Sequence, residues 1–231
     1  MKVIGLLGGM SWESTAHYYR IINEEMRKRL GGLNSARLVL HSVNFADVSA
    51  LQHRGDWEGA TQAMITAARS VEAAGAECLV ICTNTMHKVA DAVASAISIP
   101  LLHIADATAR RLIDHNVSHV GLLGTRFTME QDFYVGRLAS HGLRTTIPNE
   151  SNREVVHRVI YEELCKGQVR NESRDEYRRI IEELRRDGVG AVILGCTEIG
   201  MLIAPSDSCV PLYDTTRIHA EAAVEFALQT T

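Results

Sequence analysis

Cys196, in the segment LGCTEIG, follows an apolar run and precedes a turn. A thiolate abstracts protons well when a helix N-terminus or backbone N–H groups lower the pKa of its thiol. The Gly-Cys-Thr-Glu turn predicts a thiol at the edge of a cleft, with Thr197 as a nearby donor. Glu198 is a candidate to bind a ligand's ammonium group or to orient Thr197. Because a close carboxylate raises a thiol pKa, we expect Glu198 not to contact the sulfur.

The other cysteines limit how the thiols are used. Their number is odd and no pair has C-x-x-C spacing, which indicates neither a disulfide framework nor a zinc ribbon. Scattered free thiols are typical of a reducing cytosol. Burial as a small hydrophobic residue is the alternative for each of them, Cys196 included. The five cysteines are Cys78, Cys82, Cys165, Cys196 and Cys209.

A second polar cluster, Thr83–Asn84–Thr85 in ICTNTMHK, ends another buried run. Its hydroxyl and amide groups can bind a carboxylate, or they can form a turn that caps the next helix. Strand alternation predicts that Cys82 points away from the face that Thr83 uses. His87, four residues after Thr83, is either an alternative acid or a histidine on a helix surface.

Glycine turns follow the first apolar run of each half, GLLGGMS and GLLGTR. They lack the G-x-G-x-x-G spacing, so we reject a dinucleotide site. A glycine turn also permits close approach of the backbone to a ligand, which makes Met10 a candidate pocket residue and Thr125 its counterpart. Thr128 and Gln131 have the spacing of a capping box.

Short β-branched runs alternate with helical periodicity, which predicts a parallel α/β fold. The predicted helices include Ala60–Ala74, Ser173–Asp187 and His219–Leu228. The predicted strands are Val3–Leu7, Leu38–Val43, Cys78–Cys82, Val120–Leu123, Ala191–Leu194 and Cys209–Tyr213.

The two halves of the chain repeat one pattern. GAECLVICTN starts at Gly75 and GVGAVILGCTE at Gly188, and Thr83 and Cys196 each lie eight residues after their glycine. The small vocabulary of α/β sequences is the alternative explanation, but the openings VIGLLGGM and HVGLLGTR match in the same order. Ligands bind beyond the carboxyl ends of strands in open α/β sheets. If the two halves face each other, Thr83 and Cys196 lie on opposite walls of one cleft.

The repeat predicts two similar lobes, each a mainly parallel sheet flanked by helices, related by a pseudo-two-fold axis with the active site between them. The expected bounds are residues 1–106 plus 214–231 for the first lobe and 107–213 for the second. The content of 46% hydrophobic and 23% charged residues is typical of a soluble globular protein. A net charge of −4 argues against nucleic-acid binding, and no apolar run is long enough for a membrane span. The opening MKVIGLLGG predicts a strand and not a signal peptide.

LGCTEIG and ICTNTMHK resemble the second and first signatures of the aspartate/glutamate racemase family. The resemblance covers essentially the whole chain and is greatest to the L-aspartate/glutamate-specific, or broad-specificity, racemases. It implies a cytoplasmic homodimer that needs neither pyridoxal phosphate nor a metal and binds a small amino acid. It also implies substrate contacts from Met10, Gln52, the Thr83–Asn84–Thr85 turn and Lys166.

One position departs from the family pattern, which has a cysteine before the asparagine of the first signature. This chain has Thr83 there, while Cys196 occupies the second cysteine position. Inversion of Cα requires an acid/base group on each face of the substrate. We therefore expect Cys196 to abstract the α-proton of an L-substrate and Thr83 to protonate the other face, with a slow reverse reaction.

Without a cofactor as electron sink, donors around the substrate carboxylate must stabilise the carbanion. Asn84, Thr85 and Thr197 are the candidates. Two other functions stay open at this point. One is a related cysteine-dependent isomerase or decarboxylase of small dicarboxylates, and the other is an amino-acid-binding protein with weakened catalysis.

Overall fold

A computed structural model of the protein describes residues 1–229. The chain divides into two compact units. The first contains Met1–Ile104 and the C-terminal segment from His219, and the second contains Ala105–Ile218. Each unit has one four-stranded parallel sheet flanked by helices. The predicted α/β class with two similar lobes is therefore confirmed.

The first unit begins with a strand and alternates strands with helices. Its strands are β1 (Ile4–Gly8), β2 (Leu38–Ser42), β3 (Cys78–Ile81) and β4 (Leu101–Leu102). Its helices are α1 (Trp12–Leu30), α2 (Phe45–Arg54), α3 (Trp57–Ala73) and α4 (Ala90–Ser95).

The second unit repeats the alternation. The chain passes between the units within α5 (Ile104–Asp114) and again within α11 (Thr215–Leu228). The strands of the second unit are β5 (His119–Gly124), β6 (Arg144–Thr146), β7 (Ala191–Gly195) and β8 (Leu212–Asp214). Its helices are α6 (Arg126–Glu130), α7 (Asp132–Ser140), α8 (Glu150–Glu162), α9 (Asn171–Arg186) and α10 (Ile199–Leu202).

Both sheets have the same strand order. The first is β2-β1-β3-β4 and the second is β6-β5-β7-β8. The two segments that match in sequence therefore form the two central strands of each sheet. The central strands are buried except at His119, the first residue of β5, as expected for parallel strands covered by helices on both faces.

Alternation along β3 divides the core of the first unit into two layers. Leu79 and Ile81 pack with the apolar face of α3. Cys78, Val80 and Cys82 pack on the other side with α1 and α11. The C-terminal helix contributes Ala220, Ala223, Val224 and Ala227 to this second layer.

Three features of the strands differ from the sequence prediction. The last strand begins at Leu212 and not at Cys209, because Pro211 has no N–H to donate to a sheet. The carbonyl of Pro211 still accepts a hydrogen bond from Val192 N at 2.9 Å. The edge strands β4 and β6 were missed, since two or three residues are too few to establish a period.

No helix among residues 1–229 is both long and apolar enough to cross a bilayer. Over the same range, no three side chains of His, Cys, Asp or Glu form a group that could hold a metal ion.

Candidate active site

The turn after β1 positions Met10. Gly9 has a φ of 93°, a conformation that favours glycine, and its N–H donates to Thr15 Oγ1 at 2.8 Å. Ser11 caps α1, because its hydroxyl accepts from Ser14 N at 3.3 Å. Met10 is buried in the layer of the core that also contains Met86. The glycine turn thus directs the methionine inward.

Thr83 follows β3 by two residues and is half-buried, whereas Asn84 and Thr85 are buried. The Thr83 N–H donates to Ile81 O at 2.9 Å, which bends the chain out of the strand. A 3₁₀ helix over Thr85–Val89 then continues the chain. The polar cluster therefore lies at the carboxyl end of a central strand, as predicted.

Gln52 lies in the last turn of α2 and reaches the same region. Its Nε2 donates to Met86 Sδ at 3.0 Å, and the side chain is buried. Met10 and Met86 belong to one core layer. Gln52 thus contacts the 3₁₀ helix that follows the Thr83–Thr85 turn, and Met10 belongs to the same core layer as that helix.

Two neighbours of Thr83 are buried. Cys82 lies in the core layer with α1, and its burial raises the pKa of its thiol well above the ordinary value. His87 is 2% exposed and is not a surface histidine. Its Nδ1 donates to Thr83 O at 2.7 Å.

In the second unit, Cys196, Thr197 and Glu198 form one compact cluster after β7. Cys196 Sγ donates to Glu198 Oε2 at 2.9 Å, and Thr197 Oγ1 donates to the same oxygen at 2.5 Å. All three side chains are buried. The expectation that Glu198 avoids the sulfur was wrong. The turn is tight, since Ile199 N donates to Cys196 O at 3.1 Å, and this folds residue 198 back over the thiol.

This geometry controls the protonation of Cys196. Burial raises the pKa of the Cys196 thiol well above 9.0, and the neighbouring Glu198 carboxylate and Cys165 raise it further. The resting sulfur therefore carries its proton at neutral pH. An acceptor is already in contact with it, because a carboxylate oxygen accepts from a thiol.

Two further residues lie near the thiol. Burial raises the pKa of Tyr161 well above 10.0, and Cys196, Cys165 and Glu198, when ionised, raise it further. Tyr161 is in α8, and Cys165 is in a 3₁₀ helix, Leu164–Lys166. Sequence reasoning missed both, because no local motif marks them and only the tertiary fold brings them close to Cys196.

Thr125 and Lys166 differ in their surroundings. Gly124 and Gly195 are paired in the ladder of β5 and β7, so Thr125 and Cys196 directly follow neighbouring strand positions. Thr125 is the N-cap of α6 and accepts from Thr128 N at 3.3 Å, which corrects the predicted capping box at Thr128. Lys166 is exposed.

Comparison with known proteins identifies the family. The model of the Asp/Glu/Hydantoin racemase family matches residues 7–223. The chain belongs to this racemase family. It is 53% identical to a provisionally assigned Asp/Glu racemase from Yersinia pestis, with a TM-score of 0.93 over 99% of this chain and 100% of that one.

Two more distant racemase relatives extend the comparison. An aspartate racemase homologue from Pyrococcus horikoshii OT3 is 36% identical, with a TM-score of 0.87 over 99% of this chain and 100% of that one. The broad-specificity amino-acid racemase RacX of Bacillus subtilis (strain 168) is 22% identical over 228 residues, which is 96% of each chain. The family resemblance inferred from LGCTEIG and ICTNTMHK is confirmed, and the protein is a racemase-family enzyme.

Proposed function

We propose that this racemase inverts Cα of aspartate or glutamate without a cofactor, with Cys196 and Thr83 acting on opposite faces of the substrate. The family supports the reaction class, and the two structural relatives favour an acidic amino acid. The observation that carries the proposal is the buried Cys196 thiol hydrogen-bonded to the Glu198 carboxylate. A neutral thiol in contact with a base can lose its proton to that base, and the resulting thiolate accepts a proton from the substrate.

The proposed reaction removes a proton from one face of Cα and delivers another proton to the opposite face. Glu198 accepts the proton of the Cys196 thiol, and the thiolate then takes the α-proton of the L-substrate. The Thr83 hydroxyl delivers its proton to the opposite face of the carbanion, which leaves the D-product. Solvent restores the proton of Thr83 and removes that of Glu198 before the next turnover.

Hydrogen bonds to the substrate carboxylate must stabilise the carbanion, because no electron sink is involved. Asn84, Thr85 and Thr197 are proposed as these donors, since each lies at a strand end beside an acid/base group. The remaining proposed substrate contacts are Met10, Gln52, Thr125, Lys166 and Glu198.

The reaction is proposed to be unequal in its two directions. A hydroxyl is far less acidic than a thiol, so Thr83 can protonate a very basic carbanion but is a poor base toward Cα. L-to-D conversion uses Thr83 only as an acid. The D-to-L direction requires it as a base, so the turnover number is the lower one in that direction. Because the two enantiomers are equally stable in solution, the KM for the D-substrate is lower in the same proportion.

Broad specificity is the second candidate. It is favoured by the relation to the Bacillus subtilis enzyme, whose described activity is a broad-specificity one. In that case the proton chemistry at Cys196 and Thr83 is unchanged, and only the range of side chains accepted is wider.

Deuterium uptake from D₂O tests the reaction and its range together. Wild-type enzyme is incubated with a panel of L- and D-amino acids, and Cα labelling and configuration are followed by NMR and chiral chromatography. Labelled D-aspartate or D-glutamate from the L-isomers is expected. Labelling of many neutral amino acids at comparable rates would favour broad specificity, and no labelling of any member would overturn the proposal.

Replacing Glu198 with glutamine tests its role as the proton acceptor. The carboxylate charge raises the pKa of the Cys196 thiol, so its removal should lower that pKa and shift the thiolate fraction toward lower pH. Alkylation of Cys196 by iodoacetamide, followed by mass spectrometry across pH, should show a midpoint at lower pH. Racemisation should nevertheless fall about a hundredfold, because the base is lost.

Glu163→Gln is the matched control for this variant. Glu163 is also a buried carboxylate of the second unit, but it accepts from Ser173 Oγ at 2.6 Å and not from the thiol. The Glu163→Gln variant should leave the pH midpoint of Cys196 alkylation unchanged. An unchanged midpoint in Glu198→Gln as well would contradict the assigned contact.

A cytoplasmic homodimer completes the proposal. The five cysteines, all within residues 1–229, are not joined in disulfides, which supports a reducing compartment. The dimer follows from analogy with the family alone. Light scattering of the purified enzyme should give twice the chain mass of 25.5 kDa, and a monomer mass would reject this part.

A further inference from the structure

His87 is a buried histidine that contacts the backbone of the residue proposed as the acid. Its Nδ1 lies 2.7 Å from Thr83 O. A carbonyl oxygen only accepts hydrogen bonds, so Nδ1 carries the proton. Ile104 N donates to Nε2 at 3.2 Å, so Nε2 carries none. The two contacts together define a neutral imidazole in the Nδ1–H tautomer.

Other aromatic side chains hold this ring in its orientation. The His103 ring lies 4.6 Å from it and the His219 ring 5.7 Å, both edge to face. His219 is itself fixed, because its Nε2 donates to Leu102 O at 2.7 Å and Tyr18 OH donates to its Nδ1 at 2.9 Å. Burial lowers the pKa of His219 to about 4, so this ring is also neutral near pH 7.

The backbone N–H and C=O of Thr83 are therefore held by hydrogen bonds to two different parts of the first unit. Its N–H donates to Ile81 O, and its C=O accepts from His87. The first bond connects Thr83 to the end of β3, and the second connects it through the imidazole to the first residue of α5. With both groups held, these two contacts fix the direction of the Cα–Cβ bond, and so the position from which the hydroxyl projects.

We infer that His87 is a positioning residue that orients the Thr83 hydroxyl for proton delivery, through the chain Ile104 N–H, imidazole and Thr83 C=O. This inference rests on the proposed function. His87 touches no reacting atom in it. Its loss should disturb the Thr83 side of the reaction and spare proton abstraction by Cys196.

Two amide variants separate the two contacts of the imidazole. The Nδ2 of asparagine in His87→Asn lies near the position of the imidazole Nδ1 and can keep the donor to Thr83 O. The longer side chain of His87→Gln places its amide near the position of Nε2 and can keep only the acceptor for Ile104 N. Both variants have a neutral amide side chain. They differ in which hydrogen bond they retain, the one to Thr83 O or the one from Ile104 N.

Two reactions of each variant report on the two faces of the substrate. Racemisation of L-aspartate and L-glutamate needs both Cys196 and Thr83. Elimination from the 3-chloro derivatives of the same L-amino acids needs only removal of the α-proton. The electron pair of the C–H bond then forms a C=C bond and chloride leaves, after which water converts the enamine to the 2-oxo acid and ammonium.

The expected result is a change in the ratio of the two rates. In His87→Gln, racemisation should fall about a hundredfold while elimination stays within about threefold of wild type, as a misplacement of one acid would produce. His87→Asn should keep racemisation within about fivefold of wild type. Thermal unfolding of both variants checks that each is folded.

Three outcomes count against the inference. If both reactions fall in proportion in His87→Gln, the residue is merely structural, and if neither falls, the contact is unimportant. A hundredfold loss of racemisation in His87→Asn would show that the Thr83 bond is not what matters. A wild-type enzyme that performs neither reaction would instead overturn the proposed function, and with it the role of His87.

Discussion

Cys196→Ala is expected to lower racemisation by about a thousandfold or more in both directions, because it removes the only group proposed to act on one face of Cα. The Cys196 sulfur accepts the α-proton as a thiolate in the L-to-D direction and donates a proton as a thiol in the reverse direction. Initial rates by chiral chromatography, together with α-deuterium uptake, measure both directions. Binding of L-glutamate by calorimetry should persist, because the proposed contacts to its carboxylate remain.

Cys209→Ser is the control for loss of a thiol. Cys209 is exposed in the same unit, and its Sγ donates to Glu182 Oε2 at 3.2 Å. It should racemise at the wild-type rate. Should Cys196→Ala retain a substantial part of the wild-type activity, the assignment of the thiol as the acid/base group would be refuted.

Thr83→Cys is expected to raise the turnover number of the slow D-to-L direction by about a hundredfold, while changing the turnover number of the L-to-D direction much less. A thiol is far more acidic than a hydroxyl, so it can form the anion that removes a proton from the D-substrate. The position is half-buried, which leaves room for a sulfur atom. Separate initial rates at saturating D- and L-substrate give the ratio of turnover numbers that decides the outcome.

Thr83→Ser is the companion variant, since it keeps the hydroxyl and removes only a methyl group. It should preserve the unequal rates of the parent. Unchanged activity of Thr83→Cys toward both enantiomers would refute the explanation of the asymmetry by the acidity of residue 83. It would leave the role of Cys196 untouched.

Local patterns in the sequence were sufficient to predict most of the fold. The helix predicted at Ala60–Ala74 is α3, Trp57–Ala73, because small and apolar residues recur at helical spacing along one face. The matched glycine-initiated segments form β3 and β7, the corresponding strands of the two sheets. Short edge strands were missed, since they depend on a neighbouring strand more than on their own residues.

The candidate residues were found in the sequence, but their relations were not. Thr83 and Cys196 were identified because each ends a buried strand with a reactive or polar side chain. The contact between Cys196 and Glu198 contradicted the expectation that the carboxylate would avoid the sulfur. The electrostatic rule behind that expectation, that a close carboxylate raises a thiol pKa, is nevertheless correct. The rule gives the sign of the pKa shift, whereas the geometry of the turn decides whether the contact exists at all.

The sequence by itself determined the α/β class, the repeat and the two strand ends that carry polar chemistry, because periodicity and glycine turns act over a few neighbouring residues. Only the tertiary structure decided the state of the groups around them. His87 is neutral and oriented because Ile104, 17 residues away, donates to it, and His219 because Tyr18, 201 residues away, does. The protonation state and the orientation of such a side chain are set by the residues that contact it in the folded chain. A sequence pattern does not show which distant residues will be in contact.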